Sequence, residues 1–146
     1  MRRGYATMPF RWRLRGVLRN VFEALATMDG PVLIHCMAGK DRTGLAVALV
    51  LLTLGAHRDD IVADYLRTDD IGAQPHEANA LGASPIAFGD DLSEAQRGEL
   101  ASVRAEYIEA ALAAVIERHG SAADYLRDVL ELPPQWVETI RRKGLS

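Results

Sequence analysis

The chain has 146 residues, of which 49% are apolar and 25% charged, and its formal net charge is −3. This is a length for one domain with an ordinary core, and the acidic balance argues against bulk attraction to nucleic acid, so no nucleic-acid partner is expected. The single cysteine, Cys36, excludes an internal disulfide framework and a cysteine-rich zinc site, and it suits a reducing compartment.

The N-terminus, MRRGYATMPFRWRLRG, carries basic residues without the apolar stretch of a signal peptide, so a cytoplasmic location and a helix with a solvated basic face are expected. From Pro9 to Met28, the residues Trp12, Leu14, Val17, Leu18, Val21, Phe22 and Leu25 recur at three- and four-residue steps. That spacing predicts a helix with Pro9 near its start and Trp12 as a packing residue. Asp29-Gly30-Pro31 ends it. Val32-Leu33-Ile34 is short, apolar and largely β-branched, which predicts a buried strand of the parallel type. Thr43 to Leu54 predicts a buried helix closed by Gly55. The longest uncharged apolar run, Leu45 to His57, is shorter than the ~20 residues a bilayer span needs, so no transmembrane segment is expected.

Asp59 or Asp60 opens a further helix through Leu66. Thr68 to Leu92 contains Gly72, Pro75, Gly82, Pro85 and Gly89 without a sustained period, which predicts a long loop. Ser93-Glu94-Ala95-Gln96 reads as a capping box that opens a helix reaching His119. Ser121 is the expected N-cap of a helix from Ala122 to Leu130, and Pro133-Pro134 precedes one from Pro134 to Lys143, with Trp136 as a packing residue. The inventory holds one strand, and a strand cannot satisfy its own backbone groups. Either its neighbours come from residues preceding Met1, or the segment is not a strand here; pairing between chains is a further route to sheet neighbours, which makes a homodimer conceivable.

The hinge between Ile34 and Gly44 carries the chemistry. Cys36-Met37-Ala38-Gly39-Lys40-Asp41-Arg42-Thr43-Gly44 leads from the expected strand to the start of a helix. A helix N-terminus presents unpaired N–H groups and the positive end of a dipole, which together make an anion site. Gly39 lets the loop coil so that successive N–H groups form a nest, and Arg42 offers a planar fork for two phosphate oxygens. The same field favours the thiolate of Cys36, a nucleophile aimed at phosphorus. Thr43 is placed to donate its hydroxyl to the sulfur, His35 to orient the loop, and Lys40 to add positive charge at the rim. Asp41 is the residue inside the loop able to supply a proton to the leaving group.

The block HCMAGKDRTG resembles the His-Cys-x5-Arg-Thr/Ser signature of the protein tyrosine phosphatase superfamily, in the form found in its bacterial and fungal tyrosine/serine, lipid-phosphatase-like subfamily. Leu54-Gly55, Asp64-Tyr65-Leu66-Arg67-Thr68, Val103-Arg104-Ala105-Glu106-Tyr107-Ile108, and Gly120-Ser121 with Tyr125-Leu126 are similar to that subfamily's C-terminal half, and Tyr5 to Gly30 to the helix leading into its central strand. The resemblance implies an α/β, cysteine-phosphatase-like fold, with residues 1–146 forming the C-terminal portion of a longer catalytic domain whose other strands are missing. It implies a phosphocysteine intermediate on Cys36 and phosphate held by Arg42 and the loop from Met37, Ala38, Gly39 and Lys40 through Asp41 to Thr43. Asp41 is the implied general acid. No metal and no cofactor are expected. The implied substrates are phosphotyrosine, phosphoserine/threonine or phosphoinositide monoesters.

Two other readings remain open. One is a catalytically silent phosphate-binding or scaffolding remnant, suggested by the lone strand. The other is rhodanese-like sulfur transfer, against which Asp41 and the Thr43-Gly44 ending argue. A nucleotide-binding P-loop fails on position: it requires a glycine where Ile34 stands and a serine or threonine where Asp41 stands. Asp69, Asp70, Asp90 and Asp91 are alternative acids, and His57, His76 and His119 carry no assigned role.

Overall fold

The computed structural model describes residues 2–37, 39–72, 93 and 102–145. Helix α1 (Arg2–Thr7) passes into a 3-10 turn at Met8–Phe10, and α2 (Trp12–Thr27) begins after it. The single helix expected from Pro9 is therefore broken: Arg11 between the two pieces is extended, at φ −69° and ψ 123°. Pro9 brings no N–H to an α-helical ladder. Its carbonyl instead accepts the hydroxyl of buried Tyr125 at 2.7 Å, which pins the break to the C-terminal part of the chain. Leu14, Leu18, Phe22 and Ala26 of α2, one turn apart, form its buried face. Trp12, expected to pack, is 74% exposed with Arg13 over its ring, because it lies off that face.

Residues 31–36 have no regular secondary structure, which corrects the strand expected at Val32–Ile34. A strand exists only as a member of a ladder, and among the described residues no segment exchanges backbone hydrogen bonds with this one. Leu33 is consequently 86% exposed, while Ile34 packs partly against the core. The helical half of the expected α/β architecture is present; among the described residues there is no strand.

Helix α3 (Asp41–Leu54) is the centre of the packing. It touches α2, α4 (Arg58–Gly72), α5 (Ala105–His119), α6 (Ala122–Asp128) and α7 (Pro134–Gly144). This surrounding explains its nearly unbroken apolar sequence, since a helix apolar on every side needs neighbours on every side. It starts two residues before the expected Thr43 and ends as expected, with Gly55 left-handed at φ +87°. Arg141 of α7 donates Nε–H to the carbonyl of Thr53 at 2.8 Å, satisfying one of the last orphan acceptors.

Helix α4 continues past the expected end at Leu66 to Gly72, so residues 68–72 of the expected loop are helical. A nucleated helix propagates until a breaker intervenes, and the first glycine is Gly72. The rest of that loop, including Asp90, Asp91 and His76, lies outside the described residues, as do residues 94–101 of the helix expected after Ser93. Where description resumes, Ser102–Arg104 is not helical and α5 opens only at Ala105, so one continuous helix from Ser93 to His119 is not formed. Val103 is buried there, and the carbonyl of Ser102 accepts from Lys40. Ser121 caps α6 as expected, its Oγ accepting from Asp124 N–H at 3.0 Å, and α6 ends at Asp128, two residues before the expected Leu130. Trp136 of α7 packs against the core as expected, under the guanidinium of Arg19.

Candidate active site

The loop between residue 34 and α3 opens onto a cavity of about 740 Å³. His35, Cys36, Asp41, Arg42 and Thr43 line it, together with Tyr5 of α1 and apolar side chains of α2. Four of the residues expected to act together, Cys36, Asp41, Arg42 and Thr43, thus line the same cavity. The local reason is the turn at Gly39, whose φ of +64° suits a residue without Cβ, followed directly by the start of α3. The N-cap position, Lys40, makes no side-chain hydrogen bond to the helix end. Lys40 O accepts from Gly44 N–H at 2.7 Å, which closes the first turn.

Each expected residue has a definite setting. Cys36 is half-buried, Arg42 is exposed and Asp41 is half-buried. Met37 is 76% exposed and lies outside the cavity wall, as does Gly39. Ala38 lies outside the described residues. His35 is exposed, and its ring makes no hydrogen bond among the described residues. Thr43 Oγ1 is buried with no hydrogen-bond partner among the described residues, a costly state for a hydroxyl unless something else meets it. Lys40 is buried instead of standing at the rim, its Nζ donating to Ser102 O at 3.1 Å and lying 3.9 Å from Asp41 Oδ1.

The sequence reading missed the partners of Asp41. Tyr5, 3% exposed, donates its hydroxyl to Asp41 Oδ1. Its oxygen also lies 2.8 Å from the hydroxyl of Tyr65 on α4. The Tyr5 ring stacks on Tyr107 of α5, with centroids 5.1 Å apart. Burial first, and then the hydrogen bonds with Asp41 and Tyr65, push the Tyr5 phenol far above its ordinary value, so it is a neutral donor. A signal was present in outline: Tyr65 and Tyr107 sit in two of the downstream blocks quoted above, though nothing in their spacing points to Asp41.

Chemically, a helix start without a side-chain cap, next to a guanidinium, is a place for an anion. A thiol in the same cavity is a place for a nucleophile. No group of three or more His, Cys, Asp or Glu side chains suited to a metal ion occurs among the described residues.

The family model described as "Tyrosine phosphatase family" matches residues 1–146. The triple specificity protein phosphatase PtpB of Mycobacterium tuberculosis is 40% identical over 132 residues, a match covering 85% of this chain and 47% of that protein. A Cupriavidus necator relative is 38% identical over 130 residues, covering 88% and 44%. A tyrosine-protein phosphatase of Nostoc commune is 32% identical over 113 residues, covering 76% and 38%. The chain therefore spans less than half the length of these relatives, but the match runs through the loop and the helices on both sides of it, and the chain belongs to the tyrosine phosphatase family.

Proposed function

We propose that the loop from Cys36 to Thr43 hydrolyses phosphoric monoesters through a phosphocysteine. Cys36 Sγ attacks phosphorus, and the S–P bond forms as the ester P–O bond breaks. Asp41 gives its proton to the departing oxygen. Water then attacks phosphorus, the S–P bond breaks, inorganic phosphate leaves, and Asp41 recovers a proton. Arg42 and the backbone N–H groups from Met37 to Thr43, with Ala38, Gly39 and Lys40 between, stabilise charge on the phosphoryl oxygens. Thr43 donates its hydroxyl to the sulfur.

The observation that carries this reading is that Cys36, Asp41, Arg42 and Thr43 line one cavity at an uncapped helix start. The buried, unmet hydroxyl of Thr43 supports it, since a thiolate in that cavity is an acceptor. Phosphotyrosine is the first substrate class. The name of the Mycobacterium relative, a triple specificity phosphatase, supports adding phosphoserine/threonine, and phosphoinositides follow from the resemblance described at the outset. A cytoplasmic, reducing setting keeps such a thiol active. None of the described helices is long and apolar enough to cross a membrane.

A second reading, a phosphate-binding protein without turnover, is favoured by one observation: Val32–Ile34 has no strand to brace it among the described residues. Rapid quench of the chain with a labelled aryl phosphate separates the two. A labelled, alkali-stable and iodine-sensitive phosphoprotein that is lost in Cys36→Ser supports hydrolysis. Phosphate or vanadate raising the melting temperature with no phosphoprotein formed supports binding alone.

A further inference from the structure

We infer that Tyr5 and Tyr65 are positioning residues for Asp41, acting as a hydrogen-bonded relay from α4 through α1 that holds the Asp41 carboxyl facing the cavity. The inference rests on the proposed role of Asp41 as proton donor.

The direction of the relay follows from proton counting. A carboxylate only accepts, so the bond between Tyr5 and Asp41 uses the one phenolic proton of Tyr5. The 2.8 Å contact between the two tyrosines must then be donated by Tyr65. Each donor polarises the next, so the second bond strengthens the first. Both rings are held. Tyr5 stacks on Tyr107, and Tyr65 fills the space where a Cβ on Gly44 would stand, 2.6 Å from Cε2 and 2.7 Å from Cδ2. The last residue of the HCMAGKDRTG block therefore has a structural purpose that its sequence context does not reveal: it admits the ring that feeds the relay.

The groups around Asp41 act in the same sense. From its own loop come the ammonium of Lys40 at 3.9 Å and the neighbouring Arg42. From α1 and α4 come the two hydroxyls, with Tyr107 of α5 behind Tyr5. Cys36 lines the same cavity. A donated hydrogen bond and a nearby cation both hold a carboxyl group in place.

The test compares leaving groups. In Tyr5→Phe, which keeps the stacked ring, kcat for an alkyl phosphate falls about tenfold, kcat for an aryl phosphate with an acidic leaving group falls far less, and KM for both is unchanged. In Tyr65→Phe the same split appears and is smaller. Equal losses on both substrates, or no loss in either variant, overturn the relay. If Tyr5→Phe does not give a cooperative melt, Tyr65→Phe alone decides. Asp41→Asn separates this inference from the reading beneath it. A split in Asp41→Asn without one in the tyrosine variants overturns the relay and leaves Asp41 as the acid, whereas no split in Asp41→Asn removes Asp41 as the acid and the relay with it.

Discussion

A Cβ added to Gly44 would lie 2.6 Å from the ring of Tyr65, closer than packed atoms approach. Gly44 sits in the first turn of α3, where exchanging glycine for alanine ordinarily gains up to about 1 kcal/mol of helix propensity. The buried Tyr65 ring reverses the sign, because it has to leave its place or push α4 outward. We expect Gly44→Ala to destabilise the chain by about 1–3 kcal/mol, read as a lowered urea midpoint with an unchanged slope. A raised midpoint would mean that Tyr65 is not seated against α3.

The proposed reaction separates Cys36 from Asp41 by leaving group. Cys36→Ser should abolish turnover of any monoester, because an alcohol here lacks the thiolate that attacks phosphorus. Asp41→Asn should slow an alkyl phosphate by about 10²–10⁴-fold and an aryl phosphate with an acidic leaving group far less, since only the alkoxide needs the proton. Equal losses on both substrates would remove Asp41 from the role of acid.

Tyr125 links two ends of the chain and should set part of the alkaline limit of stability. Its hydroxyl donates to Pro9 O at 2.7 Å in the core. Tyr125→Phe leaves that carbonyl without its donor, at a cost of about 1–2 kcal/mol at neutral pH. Burial raises the phenols of both Tyr5 and Tyr125 above their ordinary value of 10.0. A group raised on folding contributes stability that is whole below its unfolded value and is lost as the pH climbs toward the folded one. Stability should therefore hold steady below about pH 9 and fall above about pH 10, by about 1.4 kcal/mol per pH unit for each of these tyrosines. Denaturant melts between pH 8 and 11.5 measure this, and Tyr125→Phe should flatten the decline.

Ser121 offers a local control. Its Oγ accepts Asp124 N–H at 3.0 Å at the start of α6. Ser121→Ala should cost about 1 kcal/mol in a urea melt without touching phosphoryl chemistry. A larger loss would show that α6 is seated through this cap and not through Tyr125 and Leu126.

The periodic helices were legible because their signal is local. Gly55 closes α3, Ser121 opens α6, and α7 falls within one residue of its expected end. The residues of HCMAGKDRTG point by their own chemistry to the anion loop with a nucleophile that we propose, except Gly44, whose place depends on the Tyr65 ring. The strand at Val32–Ile34 was misread because apolar β-branched residues satisfy only half the requirement. The other half is a neighbouring backbone, which local sequence does not encode.

What the sequence by itself determined is most of the helical frame around α3 and the family to which the loop before it belongs, both written in residues a few positions apart. What only the tertiary structure decided is the company those residues keep. Tyr5 reaches Asp41 across 36 positions, Lys40 turns inward to Ser102 across 62, and Tyr65 enters the gap at Gly44. Contacts over such separations depend on how helices cross and which rings fit between them. Close packing settles that, and hydrophobic periodicity does not carry it.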